Sequence, residues 1–322
     1  KIIVMKKLNL SYIVIFTLLF TLFISCKNKN NEVFTSEIIY DAYIHPVEYD
    51  MPFVNHLGYT DRQQVLSFIY KALELNKVID STGNIISLEQ INNKIVLLDS
   101  SFTNTPNNHL EKFILNFWDV IRFDESWEYN KKTGQIYKTV KKVSFLKAIK
   151  DSFMMPINSK EIFSIELNTA SKKYKIDIDK PMVIYDVCII PLVDNPSPYY
   201  HQISLSDKQK YFTDLFNIVK NNKITVLDYF YNLIPKEKIS ELFYTRGIED
   251  STNKEINIPV SINEIGRIKF MEQWYWDTTN LAINKYVIGV NPGLKVMQGD
   301  DLIGYSPLFW AIFNKEFVNV LR

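Results

Sequence analysis

The residues of this chain whose types could do chemistry include four histidines, two cysteines and adjacent carboxylates such as Asp124-Glu125 and Asp300-Asp301. His45, His56, His109 and His201 stand singly beside Pro, Asn or Tyr, with no HExxH-type or paired spacing to bring two ligands together. They are expected in loops, and no metal or other cofactor is expected. Asp124-Glu125 and Asp300-Asp301 could share acid–base work, but adjacent residues on a strand point to opposite sides. Both pairs are therefore expected on solvated surface. No serine sits in a nucleophile elbow, and nine glycines are too sparse for a phosphate-cradling loop. No catalytic residue is expected, and the chain reads as a non-enzyme.

Cys26 carries a different chemistry. Met5 reads as a start followed by Lys6-Lys7, then an apolar run over 12–22 and Ser25 directly before the cysteine. A short apolar segment behind basic residues is a signal peptide, since a spanning helix needs about 20 apolar residues. Ser25-Cys26 resembles a bacterial lipobox, so Cys26 is expected to be lipidated at the new N-terminus. Residues 1–26 are then the signal peptide and 27–46 a polar tether to the outer membrane. That tether lacks an acidic surface-export cluster, which points to the periplasmic face. Cys188, inside the apolar run 182–190, is expected to be a buried thiol.

The third group is aromatic. Trp127, Tyr129, Trp274, Trp276 and Trp310 could stack on sugars or bases if exposed, giving a carbohydrate- or peptide-binding protein as the alternative function. The other role for such rings is framework, anchoring a sheet beneath a helix, because aromatics dominate core energetics. Framework is the favoured reading.

Hairpins must hold these rings. Trp274 and Trp276 lie two apart and leave an extended strand on one face. Asp277 to Asn280 favours a turn, and 283–290 reads as the return strand. An earlier copy lies 147 residues upstream, where Phe123, Glu125, Trp127, Ile136 and Lys138 match Phe270, Glu272, Trp274, Ile283 and Lys285. Its turn ends at Gly134, a residue that tolerates positive φ. Upstream, Asp61, Asn76-Lys77 and Asn84 pair with Asp207, Asn222-Lys223 and Asn232 at similar offsets. This collinear order predicts a tandem repeat.

Each unit reads as a helix, a capped short segment, a Trp-rich hairpin and a final strand. The first helix starts at Thr60 as N-cap and buries Val65, Leu66, Ile69 and Leu73; the second buries Tyr211, Phe212, Leu215 and Phe216. The final strands are 182–190 and 308–313. The fold class expected is α+β: two tandem repeats, each a helix packed on a small antiparallel sheet. The first repeat, 47–195, carries an insertion over 144–179 with a helical SFLKAIKDSF and a KKYKIDID strand. A linker over 192–200 leads to the second repeat, 196–322. With 47% apolar and 23% charged residues the chain is globular, and a net charge of +1 gives no reason to expect nucleic acid.

The second repeat resembles the GldN (PorN) family of gliding-motility and type IX secretion ring proteins, whose members carry KxxWYFDKxxGELKYRIIGIAP followed by LFWxYFPEAR. Met271-Glu-Gln-Trp274-Tyr-Trp276-Asp277 and Tyr286-Val-Ile-Gly289-Val290-Asn-Pro292 match the first stretch. Pro307-Leu308-Phe309-Trp310-Ala-Ile-Phe313-Asn-Lys-Glu316 matches the second. The helix at 211–220 with Lys223-Ile-Thr is similar to the family's SLFDVLxxxIxxGKI. The resemblance covers about 205–322, more faintly the first repeat.

It implies a structural subunit of a periplasmic ring that associates with itself and with a GldK/PorK-like lipoprotein. Members carry one such unit and continue past the LFW strand, whereas this chain has two and stops at Arg322, so it is expected to be either a fragment or a divergent paralogue. In the usual arrangement the lipobox belongs to the partner, and here it stands on this chain.

Overall fold

The computed structural model describes residues 30–44, 59–99, 102, 108–150, 156–168, 177–180, 182–189, 203–249 and 254–320. The chain begins there with a strand, β1 (Asn31–Tyr43), whose Phe34, Ile38, Tyr40 and Ala42 are buried. These residues were expected in a flexible tether over 27–46; four large or apolar side chains at inward positions fix them in the sheet instead. Helix α1 (Tyr59–Glu74) buries Val65, Leu66, Phe68, Ile69 and Ala72 along one stripe. Thr60 lies inside its first turn and is not the cap. Asn76 follows with φ +51, a left-handed conformation that Asn tolerates better than most residues. After β2 (Val78–Ile79), helix α2 (Leu88–Leu98) starts at Ser87, whose hydroxyl and Gln90 form a reciprocal capping box.

A short helix α3 (His109–Lys112) runs through a π-turn at Phe113–Phe117 into β3 (Val120–Asn130) and β4 (Ile136–Lys150). Then follow β5 (Pro156–Glu166) and β6 (Val183–Cys188). The expected helix SFLKAIKDSF is thus strand through Lys150, because pairing with β5 from Ser144 to Lys150, and with β3 as far as Leu146, commits it to the ladder. Asp177 to Lys180, the end of the expected KKYKIDID strand, forms a turn. Helix α4 (Leu205–Lys220), capped by Ser204, leads to β7 (Thr225–Leu227) and a 3-10 helix at Lys236–Phe243. The chain finishes with β8 (Tyr244–Glu249), β9 (Lys254–Pro259), β10 (Ile265–Asp277), β11 (Ala282–Gln298), β12 (Asp301–Pro307), β13 (Trp310–Ile312) and α5 (Glu316–Val320).

Both expected hairpins are present, β3–β4 and β10–β11. They do not sit in separate small sheets. One 11-stranded sheet holds both in the order β1-β3-β4-β11-β10-β6, antiparallel throughout, with β5 and β2 branching from β4 and β13, β7 and β12 from β11. Strand β6, expected to close the first unit, pairs with β10 of the second hairpin. The sheet curls until its end strands face each other, where the rings of Tyr40 and Tyr185 stack at 5.8 Å. The hairpins meet at Tyr286 and Tyr137.

Helices close the ends of this barrel-like core. Tyr211 of α4 stacks on Phe34 at 4.4 Å and meets Tyr129 edge-on at 5.1 Å. Phe68 of α1 meets Trp276 edge-on at 5.3 Å. The β3–β4 turn packs under α4, where Gly134 has φ +72 and a Cβ would stand 3.0 Å from Leu215 Cδ1. Gly134→Ala is expected to cost about 1–2 kcal/mol of stability, from left-handed strain and crowding together, read from the urea midpoint.

Candidate functional site

Alternation along the four hairpin strands sends Phe123, Glu125 and Trp127 of β3 into the core, with Lys138 of β4 opposite Trp127. The same alternation buries Phe270, Glu272 and Trp274 of β10, with Lys285 of β11 opposite Trp274. Each glutamate binds a tryptophan of its own strand and a tyrosine of the strand beside it. Glu125 Oε2 accepts from Trp127 Nε1 at 2.7 Å and from the Tyr40 hydroxyl at 2.8 Å. Glu272 Oε2 accepts from Trp274 Nε1 at 2.8 Å and from the Tyr185 hydroxyl at 2.7 Å.

The lysines cross over. Lys138 Nζ lies 2.8 Å from Glu272 Oε1, and Lys285 Nζ lies 2.6 Å from Glu125 Oε1. Lys138 also donates to Tyr185 and Lys285 to Tyr40, each at 2.9 Å, while the two tyrosine hydroxyls are 3.1 Å apart. The ammonium groups rest on aromatic faces across the hairpin boundary, Lys138 at 3.2 Å from the Phe270 centroid and Lys285 at 2.9 Å from that of Phe123.

Two cations and two anions leave this cluster neutral, which a dry interior requires. All four charged side chains have no solvent-accessible surface. No substrate touches a group that touches no solvent, so the arrangement serves structure. Glu125 was expected on the surface; its strand position, two residues from Trp127, places it on the ring's face and inside. Tyr40, Lys138, Tyr185 and Lys285 were missed as site residues. Identical Glu and Lys at a 147-residue offset was the signal for half of them, and Tyr40 was hidden in the supposed tether.

The sequence-identified aromatics divide between two places. Trp127, Tyr129, Trp274 and Trp276 line the main core, all buried. Trp310 lies apart in a second cluster with Leu227, Met271, Ile288, Ile312 and Phe317, with Tyr231 stacked on it at 6.0 Å. None of the five offers a free face to a sugar. Cys188 is exposed, not buried: β6 alternates, and Cys188 shares the outward side with Asp186. His109 begins α3, edge-on to Phe102 at 6.2 Å.

Cys26, His45, His56, His201 and the 192–200 linker lie outside the described residues. Among the described residues no three His, Cys, Asp or Glu side chains are grouped to hold a metal. No helix among them is long and apolar enough to cross a membrane.

The buried groups set how stability depends on pH. Burial pushes the Glu272 carboxyl up, but the charges of Lys138 and Lys285 and hydrogen bonds from Lys138 and Trp274 outweigh it and hold it below its ordinary 4.5. The unfolded chain then takes up that proton first, so stability present above pH 4.5 is lost as pH falls further. Burial pulls Lys285 down to about 8 against the attraction of Glu125 and Glu272. Between there and its ordinary 10.5 the unfolded chain binds more protons, so this group adds stability as pH rises. Burial holds Tyr40 and Tyr185 protonated well above 10, and ionisation in the unfolded chain reverses the gain beyond that pH. Urea midpoints are expected to fall below pH 4.5 and to peak between about 8 and 10; a flat profile through acid would contradict the charge assignment.

Residues 193–321 match the family model described as gliding motility associated protein GldN. No curated protein matches the chain.

Proposed function

We propose, from the match of residues 193–321 to the GldN family model, that the chain is a non-enzymatic structural subunit of the type IX secretion and gliding-motility machinery. It would build a periplasmic ring at the outer membrane, associating with itself and with a GldK/PorK-like lipoprotein, and would hold to the membrane through lipidated Cys26. The family match carries this reading. The buried network supports it, since the most chemically loaded cluster among the described residues is sealed inside the sheet.

We also propose that the two hairpins descend from a tandem duplication. Support comes from the reciprocal bonds of Glu125, Trp127, Lys138 and Tyr40 with Glu272, Trp274, Lys285 and Tyr185. Bulges at Asp124/Glu125 and Met271/Glu272 and the paired left-handed Asn76 and Asn222 argue the same way. On this reading the second unit takes in β6, upstream of the expected boundary at 196, because β6 supplies Tyr185 as β1 supplies Tyr40.

Deleting the chain in its own cell tests the role. Loss of secreted cargo and of surface gliding, with the outer membrane intact, is expected. Unchanged secretion and movement would sink the proposal.

A further inference from the structure

Two outward rows of side chains cross the sheet at corresponding places, and they are satisfied to different degrees. In the first hairpin, Asp41, Arg122, Ser144 and Ser164 stand in register across β1, β3, β4 and β5. That row is closed. Arg122 binds Asp41 through two bonds of 2.6 and 2.9 Å, Ser159 donates to Asp41, and the Ser144 and Ser164 hydroxyls are 2.6 Å apart.

The second row is Asp186, Lys269 and Asn291 across β6, β10 and β11. Here Lys269 reaches Asp186 only at 3.9 Å, and Asp186 meets Arg267 singly at 3.3 Å. Asn291 is 1% exposed, yet among the described residues neither its carboxamide oxygen nor its nitrogen has a hydrogen-bond partner. Burying such a group unsatisfied is unfavourable, so the site favours a guest that satisfies it.

The surroundings are shaped for an anionic guest. Gly293, two residues further along β11, lies beneath Arg267, where a Cβ would make ordinary contact at 3.4 Å with Arg267 Nε and 3.5 Å with Tyr305 Cβ. The guanidinium accordingly lies 4.9 Å over the Tyr305 ring. Lys269 lies 5.7 Å from the ring of Tyr229, which is half exposed. Arg267 and Lys269 outnumber the single carboxylate between them, so the patch carries an uncompensated positive charge.

We propose that this row is a docking site for an acidic peptide segment of a partner protein. The segment's carboxylate takes Lys269 and Arg267, and the amide of Asn291, the register partner of Lys269, pairs with the peptide backbone. Asn291 leaves both an acceptor and a donor open, and a peptide offers an N–H and a C=O together. An ionised phosphate group offers acceptors alone and would leave the Asn291 oxygen unpaired. The proposal stands on the row's geometry and is independent of the assembly role.

The test is fluorescence anisotropy of labelled hexaglutamate with the full chain at low salt. Wild type is expected to bind with an affinity that falls as salt rises. The double variant R267E/K269E is expected to weaken binding at least tenfold, and Asn291→Leu several-fold. Gly293→Val, which fills the space beneath Arg267 with no change of charge, should weaken it as well, and Lys132→Glu in the distant β3–β4 turn should change it less than twofold. Unfolding midpoints establish that each variant is folded before its affinity is read. Absence of wild-type binding would overturn the proposal, as would equal losses from Lys132→Glu and the double variant. Displacement of the peptide by anionic phosphatidylglycerol vesicles with no dependence on Asn291 would also overturn it, in favour of a lipid surface.

Discussion

Lys285→Met is expected to lower the unfolding free energy by about 3–5 kcal/mol, because it strands Glu125 as an unpaired charge in a dry core. Glu125 keeps its bonds from Trp127 and Tyr40 but loses the only cation at 2.6 Å. Lys138→Met is expected to act alike through Glu272, since the two lysines hold mirror positions across the hairpin boundary. Removing both charges of one pair, Lys285→Met with Glu125→Gln, should destabilise less than Lys285→Met alone, since no charge is then left buried without a partner. Urea unfolding of the three variants measures this. A loss below about 1 kcal/mol for Lys285→Met would place the pair in water, the usual worth of a surface ion pair.

Trp274→Ala is expected to cost about 3–5 kcal/mol, the range for deleting a buried large aromatic. The ring is 1% exposed, meets Phe123 edge-on at 5.0 Å and Tyr185 at 5.6 Å, and donates its Nε1 hydrogen to Glu272. The substitution therefore opens a cavity and removes one donor from a buried carboxylate at once. Trp310→Ala should fall in the same range by the cavity alone, because among the described residues its Nε1 has no hydrogen-bond partner to strand. Thermal and urea unfolding give both values. Equal stability of wild type and Trp274→Ala would contradict the framework role assigned to these rings.

The hairpins were legible because their signals are local: aromatics two apart, a turn at Asp277 whose Oδ1 accepts from the Thr279 and Asn280 backbones, and Gly134 at positive φ. The faces of α1 and α4 were legible for the same reason, through apolar spacing. Strand β1 was not, since Asn31-Glu32 continues a polar run and its pairing with β3 lies about ninety residues away. The 144–150 stretch was misread because SFLKAIK satisfies both a helical and an alternating pattern, and only the partner strand decides between them. Glu125 was assigned to solvent by counting charges on adjacent positions, when the decisive fact was which side of the strand Trp127 occupies. The crossed pairing of lysines and glutamates could not be read from order alone, because it depends on two hairpins sharing one sheet rather than building two.

The central claim, that this chain is a building element of a secretion and motility assembly, is tested most directly by native mass. The complex would be extracted from outer membranes in mild detergent and weighed with its copurifying proteins identified. The account predicts a megadalton assembly holding many copies of this chain together with a second lipoprotein. A monomer free of secretion components would contradict it.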